Sequence, residues 1–124
     1  MRLKQNRIQT FYHRTAEVKK DSEGGTYVEY GEPGEFEAEE WPGGGKMQAE
    51  MYGIRLPNIR NCRVNGGYKE VHEPGKALLY TVAGGPSFTV GDGICLYSGL
   101  DGEPDYRIVA IYPYRFLTLE LERI

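Results

Sequence analysis

The chain has 124 residues, 40% of them apolar and 27% charged, with a formal net charge of −3. That length and balance suit one domain with one hydrophobic core and exclude a disordered chain. No apolar run approaches the ~20 residues of a bilayer span, so no membrane partner is expected.

Glycine (17), proline (7) and tyrosine (10) are abundant, no repeat is present, and no helical apolar periodicity persists. Short strands and tight turns follow from this. Residues 1–7 lack the apolar stretch of a secretory signal, which predicts a chain made and kept in a cytoplasm. The first 20 residues hold Arg2, Lys4, Arg7, Arg14, Lys19 and Lys20 against Glu17 alone. Residues 21–50 reverse the balance, with Asp21, Glu23, Glu29, Glu32, Glu35, Glu37, Glu39, Glu40 and Glu50 against Lys46. Such segregation suits either solvated surface or the complementary edges of subunits in a ring.

In chain order, residues 7–12 and 26–30 are predicted strands bracketing a polar loop, and 36–41 is a weaker, acid-flanked strand. Residues 46–52 contain good helix formers with Met47 and Met51 four apart, after Pro42-Gly43-Gly44-Gly45 and before Gly53, a fitting C-cap. One short helix is expected there. Residues 59–64 and 76–82 read as strands ended by glycine-rich turns. Residues 87–90 and 94–97 flank Gly91-Asp92-Gly93, a strong turn signal. Residues 106–111 and 117–121 read as a hairpin with Pro113 in the connection. In its second arm Leu117, Leu119 and Leu121 alternate with Thr118, Glu120 and Glu122, which predicts one buried and one wet face. The expected fold is all-β and mostly antiparallel, a small barrel or sandwich of roughly six to eight strands with one short helix near 46–53.

No constellation for catalysis is evident. Ser22, Ser87 and Ser98 lie in no Gly-x-Ser-x-Gly pattern and have no histidine near in sequence. His72 beside Glu70 and Glu73 reads as exposed loop more readily than as a metal site. Gly43-Gly44-Gly45-Lys46 lacks the Ser/Thr of a phosphate loop. Cys62 and Cys95 form no Cys-x-x-Cys pair and read as reduced, partly buried thiols. The chain is expected to be no enzyme and to need no cofactor. Arg7, Phe11, Tyr12 and Arg14, and again Tyr106, Arg107, Tyr112, Tyr114 and Arg115, interleave charge with aromatic rings. They leave a module for single-stranded nucleic acid as the alternative.

The stretch Glu40-Trp41-Pro42-Gly43-Gly44-Gly45-Lys46-Met47-Gln48-Ala49-Glu50-Met51-Tyr52-Gly53 resembles the middle of head–tail joining (head-closure, stopper-type) proteins of siphophages and prophages. The last two predicted strands, with Asp105-Tyr106-Arg107-Ile108-Val109-Ala110 before Leu117-Thr118-Leu119-Glu120-Leu121, are similar to that family's C-terminal pair. The segments 66–75 and 98–104 depart from the pattern. The resemblance implies a β-barrel subunit of the virion, assembled in the host cytoplasm, in a ring that joins the portal side to the tail. The implied partners are connector or adaptor ring proteins, a tail-terminator protein and further copies of itself. DNA would pass or be retained without sequence-specific binding.

In that setting Met47, Gln48, Glu50, Met51 and Tyr52 are the expected protein interface, or else a cap on the barrel. Glu32, Glu35, Glu37 and Glu39 fall in an exposed acidic loop, 31–40, that is expected to face the channel and repel phosphate. Arg2, Lys4, Arg7 and Arg14 form the expected basic edge between subunits.

Overall fold

The computed structural model describes residues 7–124. Its strands are β1 (Gln9–Arg14), β2 (Ala16–Lys20), β3 (Thr26–Tyr30), β4 (Gly34–Pro42), β5 (Ile59–Val64), β6 (Tyr68–Val71), β7 (Leu79–Val82), β8 (Ser87–Phe88), β9 (Gly93–Cys95), β10 (Tyr106–Pro113) and β11 (Leu117–Arg123). Helix α1 (Gly45–Tyr52) and a 3₁₀ turn (Gly53–Asn58) lie between β4 and β5. Six strands close an antiparallel barrel in the order β1-β4-β5-β11-β10-β9, with β9 pairing back onto β1. Closure leaves these six strands no free edge, which disposes of the unpaired backbone that an open sheet exposes.

Period-two alternation fills the barrel. Phe36 and Ala38 of β4 are buried while Glu35 and Glu37, which alternate with them, are exposed. Leu117, Leu119 and Leu121 point inward from β11 beside Ile108 of β10 and Cys62 and Val64 of β5. The β10–β11 register shifts between Ile108 and Ala110, a bulge that adds the local twist a small barrel needs. The sheet β6-β7-β8 contributes Tyr80, Val82 and Phe88 to the same core, and Phe88 meets Phe36 edge-on at 5.0 Å. Cys62 and Cys95 are both buried and unbonded.

Several expectations need correction. The polar loop after β1 contains β2, which pairs with β3 from Ala16↔Tyr30 to Lys20↔Thr26 as a hairpin outside the barrel. Its turn is fixed by Asp21, whose Oδ1 accepts the Glu23 and Gly25 N–H groups at 2.9 and 2.8 Å. The acidic loop 31–40 is largely β4, a barrel strand, because Phe36 and Ala38 bury against Phe11 and Val64. The runs either side of Gly91-Asp92-Gly93 enter different sheets, β8 pairing with β7 and β9 with β1 and β10. Pro113 closes β10 opposite Leu117, so the connection is 114–116. The supposedly wet face of β11 is covered: Glu120 and Glu122 are buried.

Candidate functional site

What covers β11 is α1. Chain entry into the helix runs through Gly43, whose N–H donates to the Ile59 carbonyl at 2.8 Å. A Cβ on Gly43 would lie 2.8 Å from that oxygen, so only glycine lets the backbone pass so close to β5. The helix ends at Gly53, whose φ of 56° suits the left-handed region that glycine enters freely.

No residue of α1 is buried. The helix is seated by polar contacts. Gln48 Nε2 donates to Asn61 Oδ1 and to Glu120 Oε2, both at 2.7 Å, while Gln48 Oε1 accepts the Gly44 N–H at 2.9 Å. The Tyr52 hydroxyl donates to Glu120 Oε1, and the Tyr112 hydroxyl reaches Glu120 Oε2 at 3.4 Å. Burial, then the Glu120 carboxylate, pushes the Tyr52 hydroxyl pKa well up. One turn on, Arg55 grips Glu122 with two hydrogen bonds, 2.7 and 2.5 Å, and Arg107 donates to the same carboxylate at 3.2 Å. Arg55 also lies over the Tyr52 ring, 5.5 Å from its centroid.

The hydrogen bond from Arg55, helped by Arg107, holds the Glu122 carboxyl below its ordinary value of 4.5 despite its burial. A carboxyl depressed in the folded state stabilises above its unfolded pKa, and that contribution is lost as pH falls through the folded value. The urea midpoint of the native chain is therefore expected to fall more between pH 6 and pH 3 than that of Glu122→Gln. Equal losses in the two proteins would mean that the pair contributes nothing to acid sensitivity.

With Gln48, Tyr52 and Arg55 facing the barrel, their neighbours face outward. Met47 is 78% exposed, Met51 58% and Ile54 98%. The five residues expected at an interface thus divide. Gln48 and Tyr52 are the seat, and Met47, Glu50 and Met51 are presented to solvent. Ile54 was missed because the helical pattern stops at Gly53, yet the 3₁₀ turn carries the stripe one step further.

The acidic set divides as well. Glu35 and Glu37 are exposed on β4 and Glu32 is exposed before it. Glu39 is half-buried and lies 3.7 Å from Arg63, which itself lies over the Trp41 ring. Of the basic edge, Arg2 and Lys4 lie outside the described residues and Arg7 is exposed. Arg14 is not a free edge charge: it donates to the Gly31 and Leu100 carbonyls, each at 3.2 Å, and so ties the hairpin root to a loop. His72 lies 3.3 Å from Glu70, while Glu73 pairs with Lys76 at 2.9 Å. Among the described residues no three His, Cys, Asp or Glu side chains converge as metal ligands. No helix among them is long and apolar enough to cross a membrane.

One buried polar cluster went unread in the sequence. His13 Nε2 lies 2.7 Å from Asp92 Oδ2, and the Ala16 and Thr89 N–H groups donate to the same carboxylate at 3.1 and 3.2 Å. Both side chains are sealed in the interior, where they join β1, the start of β2 and the loop before β9. Comparison with protein-family models, curated proteins and solved structures finds no match to this chain.

Proposed function

We propose that this chain is a non-catalytic structural subunit of the head–tail connector of a tailed phage or prophage, a head-closure piece of stopper type. The observation that carries the reading is the outward stripe of Met47, Met51 and Ile54, borne on a helix that has no buried residue and is seated on the barrel by hydrogen bonds. A free monomer gains nothing from large apolar side chains held at its surface, and methionine in such a stripe suits the core of a protein contact. The stripe lies largely within 40–53, the segment whose sequence resembles the joining proteins.

In this reading the stripe meets a connector or adaptor ring protein on the portal side or a tail-terminator protein on the tail side. Further copies of the chain complete a ring in the virion after assembly in the host cytoplasm. The exposed Glu35 and Glu37 suit a wall past which DNA moves without adhering, since like charge repels phosphate. Deleting the reading frame from the phage or prophage that carries it is expected to yield DNA-filled heads without tails in electron micrographs. Normally tailed particles would overturn the proposal.

One observation favours a second reading. Tyr112 and Tyr114 stack within 10° of parallel beside the exposed Arg115, a surface suited to unpaired bases. Tight oligonucleotide binding that weakens steeply with salt, together with normal virions from the deletion, would replace the first reading with this one.

A further inference from the structure

The β2–β3 hairpin has two different faces. Cross-strand partners share a face, so Glu17, Glu29, Lys19 and Tyr27 lie on one side and Ala16, Tyr30, Val18, Val28, Lys20 and Thr26 on the other. The charges of the first face are satisfied within it, Lys19 pairing with Glu29 and lying 4.0 Å from Glu17, while its one aromatic ring, Tyr27, is 49% exposed. The second is not. Val18 and Val28 stand directly opposite each other and remain 71% and 49% exposed. Lys20, on the same face, has no ion-pair partner among the described residues. An isolated two-stranded ribbon is marginal in water, and a bare valine pair adds an apolar surface that needs a cover.

The same chain holds a fitting receptor elsewhere. The turn from Val82 to Gly85 closes with the Gly85 N–H donating to the Val82 carbonyl at 3.0 Å, and the Ala83 N–H is held by the Gly67 carbonyl at 3.0 Å. This rigid turn separates two open hollows. One, of about 560 Å³, has Tyr68 and Val82 as its apolar wall and Lys69 on its rim. The other, of about 430 Å³, is bordered by Glu35 and Glu37. Glu35 has no ion-pair partner among the described residues, and the Glu37 carboxylate receives only a long 3.5 Å contact from the Asn65 side chain.

We propose that the Val18/Val28 face of the hairpin docks on the Val82–Gly85 turn of a second copy of this chain, valines against Tyr68 and Val82, Lys20 against Glu35 and Glu37. Both the apolar and the charged features of the hairpin face have counterparts on the two sides of one turn. The acidic tip residue Glu23 meets in Lys69 a rim charge of the opposite sign. Donor and receptor are different surfaces, so the contact is head-to-tail and propagates as a ring or a filament. The choice of a second copy as occupant rests on the connector reading, in which a ring of such copies must close.

The test uses the full chain in variants that each gain one exposed cysteine, with Cys62 and Cys95 left in place because both are buried. Val18→Cys and Ala83→Cys proteins are mixed at high concentration under mild oxidation. The expected product is the mixed Val18–Ala83 dimer, well above that from Val18→Cys mixed with Val90→Cys, an exposed site away from the turn. Adding Lys20→Glu to the first chain should remove the excess, and Glu35→Lys with Glu37→Lys on the second should restore it. Crosslinking no higher than the Val90 background, or a loss that charge reversal does not rescue, would falsify the contact. Heads without tails from the deletion combined with background crosslinking would sink the contact and leave the connector role. Normal virions with specific crosslinking would do the reverse.

Discussion

Asp92→Ala is expected to be the most damaging single polar substitution in this chain, costing about 3 kcal/mol or more, because it leaves three buried partners unsatisfied at once and each such group costs ~1–3 kcal/mol. The carboxylate is 2% exposed and holds three groups at once: His13 Nε2 and the N–H groups of Ala16 and Thr89. Alanine leaves all three without an acceptor in a site closed to water, and each orphaned donor carries its own desolvation penalty. A domain of this size holds roughly 5–15 kcal/mol in total, so the variant should sit near its unfolding threshold. Asp92→Asn keeps the volume and one acceptor oxygen, and should lose less. Denaturant unfolding followed by the fluorescence of Trp41 measures both. An Asp92→Ala midpoint equal to that of the native chain would mean that the three groups find other partners. Since Ala16 opens β2, the hairpin should loosen along with the core, seen as faster amide exchange at Ala16 and its neighbours.

The residues of this cluster show why part of the molecule was hidden in the sequence. Asp92-Gly93 was read as a turn because that dipeptide turns chains locally, and a turn is there, with the Asp92 N–H donating to the Thr89 carbonyl. Its partner His13 is 79 residues away, a distance no local pattern spans. The barrel strand β11 was legible because its inward leucines, Leu117, Leu119 and Leu121, recur at period two, and β5 and β10 because they are short runs rich in β-branched and apolar residues; β4 showed only as a weak strand among acids, since Phe36 and Ala38 alone mark its buried face. Strand β2 was not legible, since all but one of its residues are exposed and nothing selects for alternation. In β6 only the end residues, Tyr68 and Val71, are half-buried, so no pattern forms there either.

The outer face of β11 failed for a related reason. Glutamate reads as solvated because it is seldom buried without partners, and the partners of Glu120 and Glu122 come from Gln48, Tyr52 and Arg55, far away in the chain. The existence of the helix followed from its own residues. Which of its sides would face out depended on these distant carboxylates, so the residues around 47–52 could not be divided into an inner and an outer side from their own pattern.

Removing the seat should release the helix while sparing the barrel. Glu120→Ala deletes the common acceptor of Gln48, Tyr52 and Tyr112. An eight-residue helix without buried residues cannot persist alone, because nucleation is unfavourable and isolated helices below ~12 residues are marginal. The orphaned donors swing into water when the segment detaches, so the loss should be local, about 1–3 kcal/mol, the usual cost of an unmade buried hydrogen bond. Hydrogen exchange should then show protection lost over 45–58, while amides of β5, β10 and β11 in the barrel ladder stay slow. Met47→Ser with Met51→Ser is the contrasting variant: it strips the outward stripe, touches none of the seat, and should leave exchange over 45–58 unchanged. Unaltered protection in Glu120→Ala would show that the backbone contact of Gly43 with Ile59 and the Arg55–Glu122 pair suffice to hold the helix. If the stripe is what partners recognise, both variants should fail to join tails, one because the stripe is gone and the other because the helix no longer presents it. A barrel that survives both substitutions separates presentation from folding, and the Met47–Met51–Ile54 surface is then tested directly.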